Sequence, residues 1–227
     1  MRYAIGDIHG CIKTLDKLIN IIVNNDKNPS FFSVGDLIDR GPDAKAVLDF
    51  FINLKNNYPV QIVRGNHEEM MLNTLFQGSE NWFFNGAEKT LQSFKNQSNN
   101  SETDLNKIIP ERYIYFIQSL PYFIELDDYL IVHAGFNFAA NNPFKDTEAM
   151  LWTRIEENDY QYTQGKKIIH GHTPVPFQQI KINIQNTTSN IYNIDSGCIY
   201  IKFKDLGTLT ALNMDTLELI NLKNVDL

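Results

Sequence analysis

All five histidines of this chain stand in short segments, punctuated by glycine and aspartate, that follow apolar runs: Gly6-Asp7-Ile8-His9-Gly10, Gly65-Asn66-His67-Glu68, His133-Ala134-Gly135 and His170-Gly171-His172-Thr173. None is left over for ordinary surface or core duty. Gly35-Asp36-Leu37-Ile38-Asp39-Arg40-Gly41, after Phe31-Phe32-Ser33-Val34, adds two carboxylates and an arginine in the same setting. Imidazole and carboxylate are ligands for divalent metals, and arginine offers a fork of donors to phosphate oxygens. The set therefore supplies ligands for two divalent metals and cations for phosphate.

Each motif alone also has a plainer reading. Asp7 and His9, two residues apart on a nearly extended chain, point to one side and grip one cation. That donor pair suits Mn²⁺, Fe or Zn²⁺ better than Ca²⁺, and the alternative is a turn aspartate beside a chance histidine. Asp36 and Asp39 either make a loop salt bridge and helix cap, or do separate jobs at a phosphate site. In the second reading Asp36 bridges two metals about 3.5–4 Å apart, Asp39 orients a histidine and Arg40 binds phosphate. Asn66 and His67, adjacent on an extended segment, face opposite sides, so one can ligate a metal while the other faces the substrate. Arg64 reaches the same edge as a second phosphate clamp, or is an exposed basic residue in a turn. His133 and His172 each lie at or just beyond a strand end, where a metal site would form, although a single histidine there is commonly structural. His170 is assigned a supporting or structural place. Arg154, in Leu151-Trp152-Thr153-Arg154, is open between site residue and surface cation on a helix, and Cys11 reads as a small residue packed at a helix start.

The elements that must position these groups read as β-loop-α units. Arg2–Ile5 is a strand, followed by the Asp-x-His-Gly turn and by Leu15, Leu18, Ile19 and Ile22 on one helical face. The unit repeats as Phe31–Val34, the Asp36–Gly41 loop, and Ala44, Val47, Leu48 and Phe51 at helical spacing, with Pro42 suited to the helix start. A third copy runs from Val60–Val63 through Gly65–Glu68 to a helix with Met71, Leu72, Leu75 and Phe76. Such units imply parallel strands whose carboxyl ends share one edge, and open α/β sheets bind ligands there. Tyr129–Val132, Lys167–Ile169, Asn193–Asp195 and Leu209–Leu212 read as further strands with little helix between them, which predicts a more antiparallel second half and a two-sheet sandwich. Residues 69–120, with Trp82, Phe83, Phe84 and Phe94, read as an inserted helical cap, and Asn96–Ser101 as a mobile surface loop.

With 227 residues, 43% of them hydrophobic, the chain has enough apolar material for a real core and reads as one domain. A net charge of −7 disfavours broad attraction to nucleic acid or to an anionic membrane, while leaving room for a local basic pocket. The first motif begins at once after Met1-Arg2-Tyr3-Ala4-Ile5, so cleavage of a leader there would remove it. No apolar run approaches the roughly 20 residues of a membrane span, and the two cysteines, Cys11 and Cys198, form no disulfide framework, so the cytoplasm is the expected location.

Taken in order, Gly6-Asp7-x-His9-Gly10, Gly35-Asp36-x-x-Asp39-Arg40-Gly41, Arg64-Gly65-Asn66-His67-Glu68, His133-Ala134-Gly135 and Gly171-His172-Thr173 resemble the calcineurin-like metallophosphoesterases. More closely they resemble the phosphoprotein phosphatase family in its bacterial and phage serine/threonine phosphatase branch. Leu151–Arg154, Asn193-Ile194-Asp195-Ser196-Gly197 and Trp82-Phe83-Phe84-Asn85-Gly86 look like further family landmarks, so the likeness covers nearly the whole chain. It implies an α/β fold of two mixed β-sheets in a sandwich flanked by helices (α-β-β-α), as a single domain over 1–227 with a cap-like insertion at about 69–120.

For the site, the resemblance implies two divalent metal ions, Mn²⁺ first with Fe or Zn²⁺ as alternatives. Asp7 and His9 would hold the first, Asn66, His133 and His172 the second, and Asp36 both. It makes His67 the proton donor, Asp39 its partner, and Arg40, Arg64 and Arg154 the phosphate-binding arginines. The implied reaction is direct hydrolysis of a phosphate monoester by a water held between the metals, on a phosphoprotein or a phosphorylated small molecule. One departure is that Cys198-Ile199-Tyr200-Ile201-Lys202-Phe203 continues as an apolar-polar run where the family has a glycine-rich turn, which should touch the sheet and not the chemistry. Symmetrical dinucleoside tetraphosphate hydrolases, a sister group, are the first alternative, although they typically carry Gln at the place of His9 and are longer. A non-catalytic phosphate-binding scaffold is the second; it would be expected to lack a ligand, and none is missing. Oligomeric state is left open.

Overall fold

The alternation of apolar and polar positions in the first strand divides its side chains between two cores. In a computed structural model, which describes residues 1–98, 102–155 and 157–227, β1 (Arg2–Ile5) sends Tyr3 and Ile5 to one face and Ala4 to the other. β1 is followed by α1 (Ile12–Asn25), β2 (Ser30–Ser33), α2 (Ala44–Leu54), β3 (Val60–Ile62) and α3 (Asn66–Gln77), as the repeated unit predicts. Both β1–β2 and β2–β3 pairs are parallel. Asp43, not Pro42, caps α2, its side chain accepting from Ala46 N at 2.9 Å. Of the apolar residues expected on α3, Met71 and Leu72 are buried and Phe76 is 59% exposed.

After α3 come a 3-10 turn at Phe83–Asn85, α4 (Ala87–Ser98), α5 (Leu105–Ile108) and α6 (Glu111–Gln118). This is the segment read as a cap. Trp82, Phe94, Tyr113 and Ile117 from it join the same core as Leu15, Leu18, Val47 and Phe51 of α1 and α2, so its helices extend the layer over the first sheet. The expected loop at 96–101 is helical through Ser98, and 99–101 lie outside the described residues.

The second sheet contains β4 (Phe123–Glu125), β5 (Tyr129–Val132), β6 (Lys167–His170) and β7 (Ile191–Asn193) in that order, with α7 (Thr147–Trp152) and α8 (Tyr160–Thr163) between β5 and β6, and α9 (Phe177–Gln185) between β6 and β7. Within this sheet β4–β5 is antiparallel while β5–β6 and β6–β7 are parallel, so it is mixed; the further antiparallel pairings of the second half are those of the last two strands with the first sheet. The parallel pairs have the crossovers they require: α7 and α8 lie between β5 and β6, and α9 between β6 and β7, where the strand spacing suggested little helix. The last strand lies before the predicted Asn193–Asp195, which leaves Asp195 in a loop. β8 (Thr208–Asn213) returns to the first sheet, antiparallel to β1, and β9 (Leu219–Lys223) forms its edge, giving the order β3-β2-β1-β8-β9.

Ala4, Phe32 and Leu212 of the first sheet meet Ile131, Ile169 and Tyr192 of the second in a core between the sheets. The sandwich is thus as expected, with its helices concentrated outside the first sheet. On the outer face of the second, Leu130, Val132 and Ile168 pack with Phe136 and with Met150 of α7. Among the described residues no helix is long and apolar enough to cross a membrane. Cys11 and Cys198 are free and buried, and Asn224 Nδ2 reaches Cys11 Sγ at 3.2 Å.

Candidate active site

Five strands deliver the predicted residues to one edge: Asp7 follows β1, Asp36 follows β2, Asn66 follows β3, His133 follows β5 and His172 follows β6. Asp36 lies at the centre. Its Oδ2 is 3.5 Å from His9 Nε2 and 4.0 Å from His67 Nε2, and its Oδ1 is 3.5 Å from His133 Nε2. Donor atoms within 4.8 Å of one another form two sets that share it, Asp7-Asp36-His133 and His9-Asp36-His67.

Asp7 and His9 are not presented by an extended chain, as their spacing suggested. His9 has φ 47°, in the left-handed region, so the backbone between them bends sharply. Asp36, Asp39, Arg40 and His172 also have positive φ, at 50°, 70°, 65° and 72°. Such conformations cost about 1–3 kcal/mol each and cluster where a site needs them. Asn66 and His67 likewise open α3 in place of ending an extended segment, and the helical rotation separates their side chains.

What holds these loops is a residue the sequence reading quoted only as part of a motif. Glu68, fully buried, accepts the backbone N–H groups of Gly65 and Asp36 on one oxygen, and of Leu37 and Ile38 on the other. Gly65 is needed there, because a Cβ would overlap Asp36 Oδ1.

The donor set fits divalent cations. His9 Nδ1 is 2.9 Å from Ile38 O and His133 Nδ1 is 2.8 Å from Val34 O, so each Nδ1 carries the proton and each Nε2 is left with a lone pair. His133 Nε2 then faces Asn66 Oδ1 at 2.8 Å and His172 Nδ1 at 3.1 Å, with His172 Nδ1 3.2 Å from Asn66 Oδ1. Acceptors converge there with no proton between His133 and Asn66, which a cation would resolve. Burial lowers His9 to about 3 and His172 to about 4, and lowers His133, so all three are neutral at ordinary pH and could serve as ligands. Asp7 Oδ1 is buried without a partner. Burial, then the nearby charges of Asp195 and Asp36, push Asp7 well above the carboxylate range, a crowding that positive charge would relieve. Asp195, buried and itself raised to about 7 chiefly by burial, was noted in the sequence only as a landmark.

His67 is built differently. Its Nδ1 is 2.7 Å from Asp39 Oδ2, while its Nε2 is buried with no partner and aimed toward Asp36. Burial would lower this histidine, but the charge of Asp36 and the bond to Asp39 outweigh it and raise its proton affinity. Asp39 is fully buried and takes further bonds from Trp82 Nε1, at 2.8 and 3.0 Å, and from Thr90 Oγ1, at 2.6 Å. Trp82 and Thr90, from the expected cap, therefore buttress the Asp39–His67 pair; Trp82, fully buried, does not face a substrate.

The three arginines fare unequally. Arg40 Nη1 lies 3.1 Å from His9 Nε2 and donates to Tyr200 Oη at 2.9 Å. The run 198–203 is thus a set of turns that touches the site, where it was expected to touch only the sheet. Arg154 is exposed in the loop after α7, not on a helix, and its charge is felt at His172. Arg64 is already engaged, donating to Glu69 at 2.8 Å, Gln118 O at 2.6 Å and Tyr122 Oη at 3.1 Å. His170 lies outside the donor sets, its Nδ1 3.1 Å from Gly171 O.

The chain is similar to several known proteins. A symmetrical bis(5'-nucleosyl)-tetraphosphatase of Legionella pneumophila (strain Lens) is 44% identical over 92 residues, which span 40% of this chain and 31% of that relative. An asymmetrical bis(5'-nucleosyl)-tetraphosphatase, PrpE, of Anoxybacillus flavithermus is 26% identical over 96% of this chain and 91% of its own length. Serine/threonine-protein phosphatase 1 of Salmonella typhimurium is 26% identical over 87% of each. The family model for calcineurin-like phosphoesterases matches residues 3–204, a stretch that contains the ends of β1, β2, β3, β5 and β6, and the chain belongs to that family.

Proposed function

We propose that this phosphoesterase is a dinuclear-metal phosphomonoesterase acting on phosphoserine and phosphothreonine in proteins. The observation that carries the reading is His67: its Nδ1 is fixed on a buried carboxylate and its Nε2 is free, facing the metal ligands. Asp7, His9 and Asp36 would hold one cation, and Asn66, His133 and His172, again with Asp36, the second; Mn²⁺ is the metal to test first, ahead of Fe and Zn²⁺. Cations bound there would polarise the phosphate oxygens and lower the pKa of a bound water.

Asp39 keeps the His67 proton on Nδ1 and supports a second proton on Nε2, which His67 passes to the departing alkoxide. A serine or threonine alkoxide is a poor leaving group, so the step is worth about 10²–10⁴-fold. Arg40 and Arg154 offset charge on the phosphate oxygens, and Arg64 joins them only by giving up Glu69, Gln118 and Tyr122.

The limited supply of cations favours a monoester over a tetraphosphate chain. With Arg64 engaged and the net charge at −7, Arg40 and Arg154 have little to offer a long polyanion. The second reading, hydrolysis of dinucleoside tetraphosphates, is supported by the relatives that bear that name. The test is metal-stripped protein reloaded with Mn²⁺ and assayed side by side on a phosphoserine/phosphothreonine peptide and on diadenosine tetraphosphate. Faster release of phosphate from the peptide is expected; preferential conversion of the dinucleotide would replace the first reading with the second.

A further inference from the structure

Arg40 is held from two sides by parts of the chain far from it in sequence. On one side the turn at Phe83–Asn85 ends in Gly86, whose carbonyl accepts from Arg40 N at 3.4 Å. A Cβ at Gly86 would come within 2.9 Å of Arg40 N and Cγ, so only glycine lets this turn close over the arginine. On the other side stands Tyr200, 160 residues away along the chain. Its hydroxyl accepts from Nη1 at 2.9 Å, and its ring centroid is 5.8 Å from Cζ.

Tyr200 is itself fixed. Its N–H donates to Gly197 O at 2.8 Å, its carbonyl accepts from Phe203 N at 3.0 Å, and the Phe203 ring meets it edge-on at 5.7 Å. Among the described residues, Nε and Nη2 of Arg40 have no hydrogen-bond partner, and the side chain borders an open cavity of about 340 Å³. The arginine is thus anchored through one nitrogen and keeps the others available.

We infer that Tyr200 is a positioning residue for Arg40: its hydroxyl holds Nη1 beside His9 so that the remaining guanidinium donors are presented to a phosphate oxygen. The inference rests on the reading of Arg40 as a phosphate ligand. Arginine has several rotatable bonds, and a guanidinium without an anchor would have to be ordered each time phosphate binds, a cost that falls on affinity. Tyr200 acts through Arg40 and not on the substrate, so its loss should weaken phosphate binding while the chemical step keeps its rate.

The test is Tyr200→Phe, which removes one oxygen and keeps the ring over the guanidinium, made alone and together with Arg40→Ala, each loaded with Mn²⁺. Nitrophenyl phosphate gives KM and kcat, inorganic phosphate as competitor gives an inhibition constant, and thermal midpoints check the fold. In the parent, Tyr200→Phe should raise both KM and the inhibition constant roughly tenfold, the size of a lost hydrogen bond to a charged group, with kcat within about threefold. In the Arg40→Ala background it should change neither by more than about twofold, because the group it positions is gone. Equal losses in both backgrounds would overturn the inference, as would unchanged constants in the parent. If Arg40→Ala itself leaves KM and phosphate inhibition as they were, the reading of Arg40 has failed and the inference with it.

Discussion

Glu68→Gln should do more damage than its conservative look suggests. Both oxygens of the buried Glu68 carboxylate are used twice: Oε2 accepts from Asp36 N and Gly65 N, each at 2.9 Å, and Oε1 from Leu37 N at 2.8 Å and Ile38 N at 3.3 Å. An amide keeps one oxygen and turns an NH₂ group toward two N–H donors. Two charge-assisted bonds are lost at about 1.5–3 kcal/mol each, or about 3–6 kcal/mol together. For a chain of 150–250 residues each kcal/mol moves the thermal midpoint by about 2–4 °C, so a fall of roughly 6–24 °C is expected. The released backbone carries Asp36, so Mn²⁺ affinity should fall as well. Calorimetry of parent and variant, each with and without Mn²⁺, reads both effects. A midpoint within about 2 °C of the parent would refute the role of Glu68 as the brace of these loops.

His67→Asn should cut turnover by about 10²-fold or more on a phosphoserine peptide and far less on nitrophenyl phosphate, whose leaving group needs little protonation; equal losses on both would remove His67 as the acid. Asp36→Asn should weaken both metals together, since Asp36 is shared by the two donor sets, and an unchanged metal content by elemental analysis would take it out of the bridge. His170 is lowered to about 4, chiefly by burial, so below its ordinary pKa the unfolded chain takes up a proton that the fold refuses. Stability contributed by neutral His170 is therefore present above about pH 6.5 and lost as pH falls toward 4, and His170→Gln should flatten that part of the curve of midpoint against pH. A curve of the same slope in both proteins would show that His170 is not responsible.

The helical segment between β3 and β4 shows where local reading stops. Trp82 and Phe94 stand in the segment whose sequence suggests an inserted cap; both are buried in the core that α1 and α2 also fill, and the Trp82 N–H ends on Asp39. Nothing in the spacing of Trp82 announces a partner 43 positions away. The same holds for Tyr200, placed on Arg40 by turns where an apolar-polar run suggested a strand, and for Thr90 on Asp39. Arg64 shows the converse: its motif matched, while its guanidinium went to Glu69, Gln118 and Tyr122, a choice made by how α6 and β4 bring those groups to it.

By itself the sequence determined the βα units, their parallel pairing and the edge at which Asp7, Asp36, Asn66, His133 and His172 collect, because side-chain periodicity and strand-end placement are local properties of the chain. Only the tertiary structure decided which donor groups gather around Asp36, which histidine keeps a free nitrogen, and which arginine is already engaged. Those outcomes depend on backbone turned into the left-handed region at His9, Asp36, Asp39, Arg40 and His172. They depend as well on partners such as Glu68, Trp82 and Tyr200, whose contacts exist only once distant segments have packed together.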